Sequence, residues 1–98
     1  MIQRETLSLT PSGGSASGNT KDLRGRLGRL VATPTTATTT YDLKITDELS
    51  VAIYHVTGIM GTHRENPDFP IKGIHTVQLL NASADEAFTV AFYVEESP

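Results

Sequence analysis

Three histidines, His55, His63 and His75, are the side chains of this 98-residue chain best suited to hold a metal ion. Glu65 or Asp68 could complete a zinc-type ligand set with them. Their spacing argues against such a site: no two stand four residues apart as on one helix face, and His63 falls in a loop between the two expected strands that carry His55 and His75. There is no cysteine, which excludes thiol nucleophiles, disulfides and Cys-ligated zinc. Serines are frequent, but none sits in a Gly-x-Ser-x-Gly elbow. Ser12, Ser15 and Ser17 belong to a small-residue loop, a poor platform for a positioned nucleophile. That loop, residues 12–19, has the glycine content of a phosphate cradle but lacks the Lys-Ser/Thr that follows one in a P-loop. The adjacent acids Asp47-Glu48 and Asp85-Glu86 fall at expected turns, where carboxylates accept backbone hydrogen bonds. Carboxylate pairs that hydrolyse glycosides need a cleft, for which a small sandwich has little room. These residues predict a protein that is not an enzyme and takes no metal or cofactor.

The elements that position these residues read as strands. Residues 5–10 alternate, with Leu7 and Leu9 on one face. Residues 21–33 carry two periods. Leu23, Leu27 and Leu30 fit a helix, whereas Leu23, Leu27 and Val31 fit a strand. Gly25 and Gly28 each cost about 1 kcal/mol in a helix, so a strand over 24–32 is expected, with Arg24 and Arg26 on its opposite face and Pro34 ending it. The threonine run 35–40 leads into an alternating strand with Tyr41, Leu43 and Ile45 inward, and residues 50–57 return as the second arm of a hairpin across Asp47-Glu48. Gly58 and Gly61 predict a bend. Residues 62–70 form a polar loop in which Phe69 plugs into the core edge or a neighbour. Residues 74–80 and 87–94 are strands, the last with Phe88, Val90, Phe92 and Val94 on one face.

About six strands with regular turns and no sustained helical period predict an all-β fold, an antiparallel β-sandwich of Ig-like or jelly-roll-like type. Its expected core includes Leu43, Ile45, Val51, Ile53, Val77, Leu79, Phe88, Val90 and Phe92. Residues 1–19 read as an N-terminal strand or arm with its Ser/Gly-rich loop, and residues 20–98 as the sandwich body. The core is small, since apolar residues are 38% and tryptophan is absent. The longest apolar stretch, residues 88–94, is too short to span a bilayer, and residues 1–5 hold no signal-peptide core. No membrane association is expected.

The net charge of −3 is unevenly placed, residues 1–41 carrying +3 and residues 42–98 carrying −6. Such a split suits contact with oppositely charged neighbours, including copies of the same chain head to tail. The basic part has neither the lysine stripe nor the interleaved aromatics of a nucleic-acid footprint. Candidate partner contacts are Leu7 and Leu9 in the arm, Arg24, Arg26 and Arg29 in the following strand, and His63, Arg64 and Phe69 in the polar loop. The free edge of an arm invites strand addition to a neighbour.

Three segments carry a resemblance to a known class. Met1-Ile-Gln-Arg-Glu-Thr-Leu-Ser-Leu-Thr10 leads into the Ser/Gly-rich loop, Tyr41-Asp-Leu-Lys-Ile-Thr-Asp47 lies mid-chain, and Ala82-Ser-Ala-Asp-Glu-Ala-Phe-Thr-Val-Ala-Phe-Tyr-Val-Glu-Glu96 closes it. Together they resemble the small β-rich virion proteins of tailed bacteriophages. The resemblance implies a structural part of the particle: a capsid decoration (cement) protein, a head–tail connector or a tail component. It implies multiple copies or a homo-oligomer, contact with the major capsid protein or neighbouring virion proteins, and residence in the virion after synthesis in the host cytoplasm. A surface carbohydrate- or host-adhesion module is the more remote alternative.

Overall fold

Alternating apolar positions along most of the chain leave strands as the only regular way to bury one set of side chains. The protein, seen in a computed structural model, is described over residues 2–96; Met1, at the start of the expected arm, and Ser97 and Pro98 lie outside the described residues. Nine strands form: β1 (Ile2–Leu9), β2 (Ala16–Asn19), β3 (Leu23–Pro34), β4 (Thr40–Thr46), β5 (Ala52–Met60), β6 (His63–Glu65), β7 (Phe69–Gly73), β8 (Thr76–Leu80) and β9 (Phe88–Glu95). One sheet runs β1-β9-β3, with β6 and β7 placed one after the other along the far edge of β3. The other runs β2-β8-β4-β5, and every pairing is antiparallel.

This is the expected antiparallel β-sandwich. Its strand count is higher than the six expected because β2, β6 and β7 are short and lie in segments rich in Gly, Ser or Pro. Leu23, Leu27 and Leu30 from β3 and Phe88, Val90, Phe92 and Val94 from β9 meet Tyr41, Leu43, Ile45, Val77 and Leu79 of the second sheet. Val51 is a correction to the expected core. It lies just before β5 and is 56% exposed, while Ile53 is half-buried against the core. The expected division after residue 19 has no counterpart in the pairing. All eight residues of β1 are in register with β9, and β2 pairs with β8.

The two periods of residues 21–33 have one physical origin. Leu27 stands opposite Val94 and Arg29 opposite Tyr93, so Gly28 is an extra residue, a β-bulge. The bulge shifts the alternation by one. Leu30 rather than Val31 therefore points inward, and the helix-like spacing of the three leucines is that of an interrupted strand. Nearby, Gly25 adopts φ +142°, and a Cβ there would collide with the carbonyl oxygen of Glu95. At Gly28 the nearest atom to such a Cβ is 3.9 Å away.

Tyr41 joins the sheets. Its ring packs edge-on against Phe88 with centroids 4.8 Å apart, and its hydroxyl donates to the carbonyl of Gly61 at 2.8 Å. Burial pushes this phenol up from its ordinary 10 to about 12.

Gly25→Ala should lower the unfolding free energy by about 3 kcal/mol in urea titrations, whereas Gly28→Ala should stay within about 0.5 kcal/mol of wild type. Tyr41→Phe keeps the ring contact but leaves the Gly61 carbonyl without its donor, at a cost of about 1–3 kcal/mol. A raised folded-state value means that the contribution of Tyr41 is intact below pH 10 and is lost as pH rises towards 12. The Phe variant should lack that part of the alkaline loss.

Candidate interaction surface

The alternation that fills the core also decides what the first sheet shows outward, and that outward set is basic. Arg4 on β1 and Arg29 on β3 stand on either side of Tyr93 of β9, and Arg64 on β6 is opposite Val31. Arg26 and Arg24 continue the row beside Pro70 and Lys72 of β7. Six of the eight lysines and arginines therefore share one face. Arg24 pairs with Asp22 at 3.3 Å and Arg26 with Asp68 at 2.6 Å, exposed contacts worth under about 1 kcal/mol each. Among the described residues Arg4, Arg29, Arg64 and Lys72 have no ion-pair partner. The Arg4 guanidinium lies 5.7 Å from the centroid of the Tyr93 ring, a cation–π contact. Beside that ring opens a concavity of about 290 Å³, lined by Ile2, Gly28, Arg29, Asn66, Tyr93 and Glu95.

Most carboxylates are engaged elsewhere, holding connections in place. Asp85 accepts from the amides of Gly13 and Gly14 at 3.2 and 3.1 Å. The Ser/Gly-rich loop thus does direct its amides at an anion, and the anion is the chain's own carboxylate. Glu86 accepts from the Thr36 amide and hydroxyl and from the Thr39 hydroxyl, closing the threonine run into a turn. Asp42 accepts from the Gly58 amide and from Asn81. Glu5, buried on β1, accepts from the Lys21 amide at 2.6 Å.

The histidines lie apart. His55 is exposed on β5 opposite Lys44, and His75 is buried with Nδ1 3.1 Å from the Gly73 carbonyl. His63 Nε2 lies 2.6 Å from the Tyr54 hydroxyl and 3.6 Å from a Glu65 carboxylate oxygen. No group of three potential ligands forms among the described residues. Burial, with the Glu65 carboxylate adding to it, pushes the Tyr54 phenol up. It therefore stays protonated at neutral pH, a hydrogen-bonding group and not a base. The Tyr54–His63 pair fastens β5 of one sheet to β6 of the other.

The candidate contacts thus divide. Arg24, Arg26, Arg29 and Arg64 come together on the basic face. Leu7, Leu9, His63 and Phe69 turn inward, where Leu9 is core and Leu7 and Phe69 pack against it. As partner contacts these four are corrected, because β1 is paired along its length within its own sheet and β7 is a strand rather than a loop. Arg4, Tyr93 and Lys72 are additions to the face. Arg4 was visible as the residue of opposite parity to Leu7 and Leu9, whereas Lys72 required β7, which Pro70 concealed. In comparisons with known proteins, no family model matches the chain and no curated protein matches it significantly.

The hydroxyls of Thr39 and Thr36 hold the Glu86 carboxyl below its ordinary 4.5, and the Gly58 amide and Asn81 hold Asp42 below its ordinary 3.8. Depressed folded-state values stabilise the fold above those ordinary values, and the contribution is lost as pH falls through the lower ones. Thermal melts should therefore drop progressively below about pH 4.5, and Glu86→Gln should lower stability at pH 7 while flattening that acid limb.

Proposed function

We propose that this chain is a non-catalytic structural protein of a tailed-bacteriophage particle, with capsid decoration as its leading role. A place in the head–tail connector or tail is the alternative. The observation that carries an assembly role is the basic face, where six cationic side chains project from one sheet while six of the eleven carboxylates are engaged with backbone amides. A molecule of 40 × 25 × 19 Å can offer on its broad side the roughly 800 Å² per partner of a standard interface. Paired strands hold the backbone that carries the cations, so binding orders their side chains but no loop. The basic face calls for an acidic partner surface, and the lack of a lysine stripe or interleaved aromatics favours protein over nucleic acid as that partner. The resemblance of residues 1–10, 41–47 and 82–96 to phage virion proteins supplies the setting, and the major capsid protein or a neighbouring virion protein is the partner it suggests.

The test is co-sedimentation of the purified protein with phage heads that lack it. Saturable binding in hundreds of copies supports decoration, and a ring's worth of copies supports a connector. Binding should weaken as salt rises, and Arg29→Glu with Arg64→Glu should weaken it at least about tenfold. Salt-independent binding, or none to any particle component, would overturn the reading.

A further inference from the structure

Leu49, Val51 and Ile74 are large apolar side chains left 83%, 56% and 45% exposed, and they belong to two adjoining connections. Glu48 brings these together, its carboxylate accepting from the Ile74 amide at 2.9 Å and so tying the β4–β5 turn to the β7–β8 connection. The turn itself is fixed. Asp47 Oδ1 accepts from the amides of Leu49 and Val51 at 2.9 and 3.0 Å, and the Ser50 amide donates to the Asp47 carbonyl at 3.0 Å. A connection that only had to reverse the chain would face water with polar side chains. This one holds an apolar tip in water beside two carboxylates, Asp47 and Glu48, already ordered for contact.

The basic face carries the complement. Its concavity has Ile2 and the Tyr93 ring in its lining, with Arg29 at its side and Arg4 on Tyr93; Glu95 is the lone carboxylate there. At about 290 Å³ it lies just below the roughly 300–1,000 Å³ of small-molecule sites and has room for an apolar side chain. An apolar tip flanked by carboxylates thus has, on the same molecule, an apolar hollow flanked by guanidiniums. We infer that the β4–β5 tip of one copy docks through Leu49 into the Tyr93 concavity of a second copy. The two patches differ, so the contact is heterologous: an open array always has a free tip at one end and a free hollow at the other, and association continues into an open row or closes into a ring. This deepens the assembly reading by naming how copies join, and its test needs only the purified chain, so particle binding is judged separately.

Sedimentation velocity of the full chain at rising concentration should show growth beyond a dimer at low salt. Leu49→Asp on the tip and Arg29→Glu at the hollow should each weaken association at least about tenfold, with circular dichroism unchanged. Gly28→Trp, which fills the hollow from an exposed bulge, serves if the Arg29 variant does not fold. Mixing the two single variants is decisive. The Leu49→Asp copy keeps its hollow and the Arg29→Glu copy keeps its tip, so the mixture should form a one-to-one heterodimer and stop there. A wild-type chain that stays monomeric at hundreds of micromolar, a Leu49→Asp variant that assembles normally, or a mixture that remains two monomers would each overturn the inference.

Discussion

The edge-on contact between Tyr41 and Phe88 is where the two sheets are fixed relative to each other. The core has no tryptophan, and most of its other members are aliphatic side chains with no preferred mutual orientation. An aromatic pair has a preferred geometry, and a phenol also has a direction, because its hydrogen must find an acceptor. The Tyr41 hydrogen finds Gly61, the residue at which the chain leaves β5 in one sheet to enter β6 in the other. Tyr54 and His63 bridge the same crossing one step further along. Two phenols thus hold one margin of the sandwich. Through that margin they seat β6 against the edge of β3, which places Arg64 within the basic face.

The carboxylates explain how so little apolar material supports nine strands. A loop with few hydrophobic residues has little to bury, and its backbone amides need acceptors. Here the acceptors come from distant points in the chain: Asp85 serves Gly13 and Gly14, Glu86 serves Thr36, and Glu48 serves Ile74. One result is mechanical closure of the connections. The other is electrostatic, since more than half of the acids are held at backbone amides, and on the first sheet's outer surface the cations outnumber the carboxylates Asp22, Asp68 and Glu95. The charge imbalance along the chain becomes an imbalance between a face and its rim.

The strands with strict alternation were legible as sequence, and β4, β8 and β9 show why. Apolar side chains at every second position leave one register that buries them. β3 was legible as a strand but not in its facing, because a bulge at Gly28 is invisible to any fixed period. β6 and β7 were hidden for a different reason: three or five residues with a proline nearby or within them carry no periodic signal, and only the free edge of β3 gives them a place. Arg24 and Arg26 could be assigned to one side of a strand from parity alone, whereas Arg29 joins them only through the bulge at Gly28. Their union with Arg4 and Arg64 depends on pairings across most of the chain length, which local pattern does not encode.

The pairing of Ile2 with Glu95 places the first and last described strand residues side by side on neighbouring antiparallel strands. Tension applied through those two ends would act on one hydrogen-bonded pair at a time, peeling β1 from β9 as a zipper opens, and not against the whole ladder in shear. The fold is therefore weak to a pull at its ends. Strain spread across the sheet faces meets the packed core and the entire set of ladders together. A neighbour that loads this molecule through its broad surface would engage it along its stiff direction, whereas a tether at either end would find its soft one.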